Sequence, residues 1–145
     1  REVPRKVEAG GQAIEIKADR LDRFPDGTYG ILDYKTSDNL NVKDWDGERP
    51  DAPQLPLYAS KSGHPVSAVY FAQLVPGDSR RLGLEGEKLK PRLPEWTRVV
   101  DQLGANFLRG DAAVDPKHPS KTCEFCTLHS LCRIAELREG KEADE

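Results

Sequence analysis

The sequence predicts an α/β domain, a central mixed sheet of about four or five strands flanked by helices. Three observations carry that expectation. Residues 13–24 and 28–37 are strand-like on either side of Pro25-Asp26-Gly27, residues 66–75 form an apolar and aromatic run of buried-strand length, and residues 93–108 repeat apolar side chains at helical spacing.

Taken in order, residues 3–7 read as a short first strand, and Ala9-Gly10-Gly11 turns into the second. The second strand is expected to run unbroken over 13–24. Proline at the first position and glycine at the left-handed position of 25–27 suit a three-residue hairpin loop. Residues 38–51, rich in Asp and Asn and closed by prolines, read as a loop. Residues 54–62 read as a short helix ending at Gly63, and 66–75 as a buried strand beside the hairpin. Pro76-Gly77-Asp78 then turns into a short strand over 81–84. The helix over 93–108 carries Leu93, Trp96, Val99, Val100, Leu103 and Phe107 at helical spacing, with Pro94 tolerated in its first turn. A cysteine-bearing segment follows, and residues 136–145 read as a charged, frayed tail.

Composition narrows the function classes. A chain of 145 residues can bury one real core. With 37% hydrophobic and 32% charged residues it is a polar sequence, without an apolar run of membrane-spanning length or a visible signal peptide. The net charge of −3 gives no bulk attraction to nucleic acid, so a DNA contact has to use local patches or a metal. Arg80-Arg81 with Lys88, Lys90, Arg92 and Arg98 forms one loose basic group, and Arg5-Lys6 another; each member alone reads as solvated surface. Three cysteines, an odd number gathered near the C-terminus, argue against a secreted disulfide framework and for a cytoplasmic location. The opening Arg1-Glu2-Val3-Pro4 has no initiator methionine and reads as internal to a longer chain.

The chemistry concentrates on the hairpin. A three-residue loop pairs Phe24 with Thr28, and counting back sets Asp19 opposite Asp33. Side chains alternate along a strand, so Asp33 and Lys35 share a face and Tyr34 points to the other. Like charges directly opposite each other destabilise a sheet, and the Lys35 ammonium or a bound cation would relieve them. A two-residue Asp-Gly loop would shift the register by one and spoil this alignment.

Asp19-Arg20-Leu21-Asp22-Arg23, Asp33-Tyr34-Lys35-Thr36 and Gln54-Leu55-Pro56-Leu57-Tyr58, in this order, resemble the PD-(D/E)XK nuclease superfamily, with its restriction-endonuclease-like core. The likeness is to its RecB/AddB-like branch, which includes the Cas4 exonucleases. Glu2-Val3-Pro4 is similar to that branch's first strand, and Cys123-x-x-Cys126-x-x-x-x-x-Cys132 resembles the cysteine triplet of AddB-type nucleases. The resemblance implies a metal-dependent deoxyribonuclease over residues 1–135, acting as an exonuclease module of a DNA repair helicase–nuclease. It implies Mg²⁺ or Mn²⁺ held by Asp19, Asp33 and the Tyr34 carbonyl. Lys35 would position and activate the attacking water or stabilise transition-state charge, and Gln54 and Tyr58 would hold the strand and the catalytic groups. Cys123, Cys126 and Cys132 would ligate a [4Fe–4S] cluster in the parent protein, whose fourth cysteine this chain lacks. DNA and helicase-like domains, of the same polypeptide or a partner subunit, are the implied partners. The branch's upstream histidine is also missing, since His64, His118 and His129 all lie downstream of the motifs. The rival reading is a catalytically incomplete DNA-binding or interaction module that retains the fold.

Overall fold

A computed structural model describes residues 4–37, 39–75, 78–111, 113–134 and 136. They fall into two compact units, one ending at Gly110 and one beginning at Asp111. The tail expected over 136–145 lies, beyond residue 136, outside the described residues.

The first unit is the predicted mixed α/β assembly. Strands β1 (Arg5–Ala9) and β2 (Gln12–Ile16) form an antiparallel hairpin. Strands β3 (Arg20–Arg23), β4 (Tyr29–Lys35), β5 (Val66–Val75) and β6 (Asp78–Glu85) form a four-stranded sheet in that order. The β3–β4 and β5–β6 pairs are antiparallel and β4–β5 is parallel, joined through helix α1 (Gln54–Lys61) as a β–α–β crossover. Helix α2 (Gly86–Leu89) is a single turn, and α3 (Arg92–Leu108) is the long helix.

The strand expected over 13–24 is broken. Residues 17–19 leave the ladder, so β2 and β3 belong to different sheets. There the Asp19 carboxylate Oδ2 accepts the Tyr34 amide at 2.9 Å, so a side chain stands where strand pairing would have continued. The hairpin register itself is the one the turn predicts. Arg20 pairs with Leu32 and Arg23 with Tyr29, the Phe24 amide donates to the Thr28 carbonyl at 2.8 Å, and Gly27 adopts φ +85°.

The core lies between the sheet, α1 and α3, around Ile31, Leu55, Val69, Phe71, Leu89 and Trp96. The second tryptophan of the core, Trp45, comes from the segment expected to be only a loop. A 3₁₀ turn over Val42–Trp45, capped by the Asn41 side chain, swings this indole inward. There its ring meets Phe71 at 4.9 Å and the edge of Trp96 at 5.9 Å. Helix α3 buries Trp96, Val99 and Val100 but leaves Phe107 75% exposed, so its last turn departs from the buried stripe. The hairpin is tied to the helices by side chains. The Gly10 amide donates to Asp101 at 2.8 Å, Lys61 pairs with the same carboxylate, and the Ala9 carbonyl lies 2.0 Å from where a Cβ on Gly104 would stand. Among the described residues no helix is long and apolar enough to cross a membrane.

Among the described residues of the second unit the elements are two single turns, α4 (Pro119–Thr122) and α5 (His129–Cys132).

Candidate active site

The parallel β4–β5 pair sets the site. Successive residues at the C-terminal end of β4 face opposite ways, which leaves Asp33 1% exposed while Tyr34 is 41% exposed. The Lys35 ammonium returns to the Asp33 side and stands 2.7 Å from its Oδ2, at an angle that makes no hydrogen bond. That oxygen is therefore buried and charge-compensated, yet it accepts no directed hydrogen bond from the protein. Burial pushes the Asp33 carboxyl above the usual carboxylate range, Lys35 pulls it back, and the neighbouring Asp19 carboxylate adds a smaller upward push.

Asp19 reaches Asp33 from the break before β3, and the bond from the Tyr34 amide fixes its carboxylate. In a strand the N–H and C=O of one residue leave toward the same neighbour. The Tyr34 carbonyl therefore faces the Asp19 side as well, beyond the end of the β3 ladder.

Gln54 opens α1. The helix is preceded by Pro53 without a side-chain cap, so the Gln54 amide is not spent on capping. It links two groups instead. Its Oε1 accepts from Lys35 Nζ at 3.2 Å, and its Nε2 donates to the Tyr58 hydroxyl at 3.1 Å, one helical turn on. Tyr58 is itself buried, so the chain Tyr58–Gln54–Lys35–Asp33 runs from the core to the site.

Asp19, Asp33, Lys35, Gln54, Tyr58 and the Tyr34 carbonyl thus converge, while the cysteines do not. Cys123, Cys126 and Cys132 are free, half-buried thiols. The Cys126 amide donates to the Cys123 carbonyl at 3.2 Å and the Leu128 amide to Cys126 Sγ at 3.4 Å. Among the described residues no group of three or more His, Cys, Asp or Glu side chains lies close enough to hold a metal ion. Of the expected basic path, Arg92 pairs with Asp46, Arg98 with Glu48 and Glu95, and Lys90 lies 4.0 Å from Glu87. These cations are answered by carboxylates. Arg81 lies over the Tyr70 ring at 5.2 Å.

No motif or spacing signals that His64 and Arg5 meet near this site. Arg5 Nη2 lies 3.2 Å from His64 Nε2, and both line one cavity with Asp19.

The mixed sheet thus carries a buried Asp–Lys pair and a second carboxylate at its crossover end. The chain belongs to the PD-(D/E)XK nuclease superfamily, whose family model matches residues 1–133. Members of this superfamily are nucleases, which generally use divalent metals. The fold is similar to the crystal structure of SSO0001, with a TM-score of 0.50 at 15% identity, over 90% of this chain and 57% of that one. The chain therefore spans 57% of that structure's length, and the likeness is one of fold. No curated protein matches the sequence.

Proposed function

We propose that this chain is the catalytic module of a metal-dependent DNA exonuclease, of the RecB/AddB-like branch, working in DNA repair beside helicase-like domains of the same polypeptide or a partner subunit. Residues 1–135 form the nuclease module in this reading, and Cys123, Cys126 and Cys132 serve a [4Fe–4S] cluster completed elsewhere in the parent protein. The observation that carries the nuclease site is Asp33 Oδ2, a buried carboxylate oxygen without a directed donor.

The donor set suits Mg²⁺ or Mn²⁺. Two carboxylates, Asp19 and Asp33, and the Tyr34 carbonyl are hard oxygen ligands, and Mg²⁺ takes one or two protein carboxylates and completes its shell with waters and phosphate oxygens. A cation held there would neutralise charge on the scissile phosphate and acidify a bound water. The protein's own groups do the rest. Asp33 holds the Lys35 ammonium at the site by charge, and Gln54 fixes its direction through Oε1. Lys35 then offers its N–H groups to the attacking water and to the phosphate oxygens on which charge develops. The ammonium has no acceptor, so it holds the Gln54 amide with Oε1 toward it, and the Tyr58 hydroxyl accepts from Nε2 on the other side. The Asp19 carboxylate is held in its rotamer by the Tyr34 amide.

The test is digestion of linear DNA with Mn²⁺ by the protein carrying this chain, against its Asp19→Asn and Asp33→Asn variants. Each variant is expected to lose about 10²–10³-fold in rate or more with its circular dichroism unchanged, the scale of removing a preorganised electrostatic group. Unchanged digestion would sink the assignment.

A further inference from the structure

Two cavities meet at this site. One, of about 640 Å³, has Asp19 in its wall, and the other, of about 410 Å³, has Lys35. Ile16 and Tyr58 line both, so they form the ridge between them. Their charges differ. The smaller cavity adds Glu15 and Asp51, which disfavour a phosphate. The larger adds Arg5, Arg20 and His64, with Arg20 answered by Asp22 at 2.9 Å.

Arg5 and His64 form a prepared pair. The Arg5 guanidinium donates to the Ser62 carbonyl and to His64, both neutral partners, so these bonds orient its charge without cancelling it. Arginine has no acceptor, so His64 Nε2 accepts and the ring proton sits on Nδ1, a further donor. The imidazole is held by stacking on Tyr29 with centroids 4.3 Å apart. Beneath them Ile16, Ile31 and Tyr58 give an apolar floor, and the volume falls in the roughly 300–1,000 Å³ range of small-molecule sites.

We propose that this cavity is a nucleotide subsite. It takes one nucleoside monophosphate unit of the substrate strand, with its phosphate on Arg5 and His64 and its base against Ile16 and Tyr58. The bond to be cut then lies on the Asp19 side of that unit. The identity of the strand rests on the nuclease reading; the recognition of a nucleotide does not depend on cleavage.

The experiment titrates thymidine 5′-monophosphate and thymidine into this chain with EDTA present, followed by NMR of the backbone amides and of the side chains lining both cavities, the His64 ring among them in the wild type. The monophosphate is expected to shift the His64 signals saturably and thymidine to leave them in place. Arg5→Gln is expected to weaken binding about tenfold, the effect of one charge-assisted hydrogen bond. Because Arg5 also ties β1 to the end of α1, His64→Phe is measured beside it. That change keeps a ring on Tyr29, removes both nitrogens, and is expected to weaken binding to a similar degree. Wild-type affinity in both variants, or shifts confined to Lys35 and Gln54, would overturn the subsite. Monophosphate binding by a protein without metal-dependent cleavage would keep the subsite and remove the nuclease reading, so the two fail separately.

Discussion

Lys35→Ala isolates the electrostatics of the site from its chemistry. The substitution removes the ammonium 2.7 Å from a carboxylate that is 1% exposed. Breaking a buried ion pair by deleting one partner costs about 3–5 kcal/mol, and the partial exposure of Lys35, 34%, lets water replace some of the lost solvation. The expected cost at pH 7 is therefore about 3 kcal/mol, at the low end of that range. With a urea slope of about 1.5–2 kcal/mol/M, the unfolding midpoint falls by roughly 1.5–2 M. The sign with pH is fixed by the direction of the Asp33 shift. A carboxyl raised in the folded state binds its proton more tightly when folded, so it favours folding in acid, and that contribution is lost as pH rises from the ordinary aspartate value through the folded one. Removing Lys35 raises the carboxyl further, so the cost of the variant is full at neutral pH and shrinks toward pH 4. The assay is urea unfolding in EDTA at several pH values, in the wild-type and Asp33→Asn backgrounds. In the Asp33→Asn background Lys35→Ala should cost under about 1 kcal/mol, because the charge it compensated is gone. Equal costs in the two backgrounds, or a cost that does not change with pH, would refute the reasoning.

Two further outcomes follow from the packing. Gly104→Ala would place a Cβ 2.0 Å from the Ala9 carbonyl oxygen, backbone against backbone, and should cost about 1–3 kcal/mol, read as a drop of roughly 5–20 °C in Tm; an unchanged Tm would mean the hairpin does not close on α3. The Lys61 ammonium and the Gly10 amide hold the Asp101 carboxyl below the usual range. Asp101 therefore stabilises the fold above the ordinary aspartate value and loses that contribution as pH falls through its lowered value, a slope that Asp101→Asn should flatten in acid unfolding curves.

Local signals were legible in the sequence, and long-range ones were not. Pro25-Asp26-Gly27 dictates its own turn, so the pairing that brings Asp19 toward Asp33 followed from three residues. The apolar run of β5 and the stripe of α3 through Val100 announce burial directly. The break at 17–19 was hidden because the strand-like pattern continues through it, and what stands in place of the ladder is a side-chain bond between residues 15 positions apart. Trp45 was hidden by its polar surroundings, since a 3₁₀ turn needs no apolar repeat to bury one indole. His64 follows Tyr58 closely but matches none of the nuclease motifs, and its meeting with Arg5, 59 positions earlier, is made only when α1 packs beside the hairpin. The cations on α3 looked available in sequence because Asp46 and Glu48, their partners, sit about 50 positions upstream.

The separation of β2 from β3 bears on how the chain tolerates changes in length. No ladder runs from the two-stranded hairpin into the four-stranded sheet, so register is not transmitted across residues 17–19. A residue added between 16 and 19 leaves every strand pairing in place and alters only how the hairpin reaches its anchors at Ser62 and Asp101. A residue added within 25–27 instead slides β3 along β4 and carries Asp19 away from Asp33. Two insertions a few residues apart thus have opposite consequences, and the chemistry of the site depends on the length of one turn.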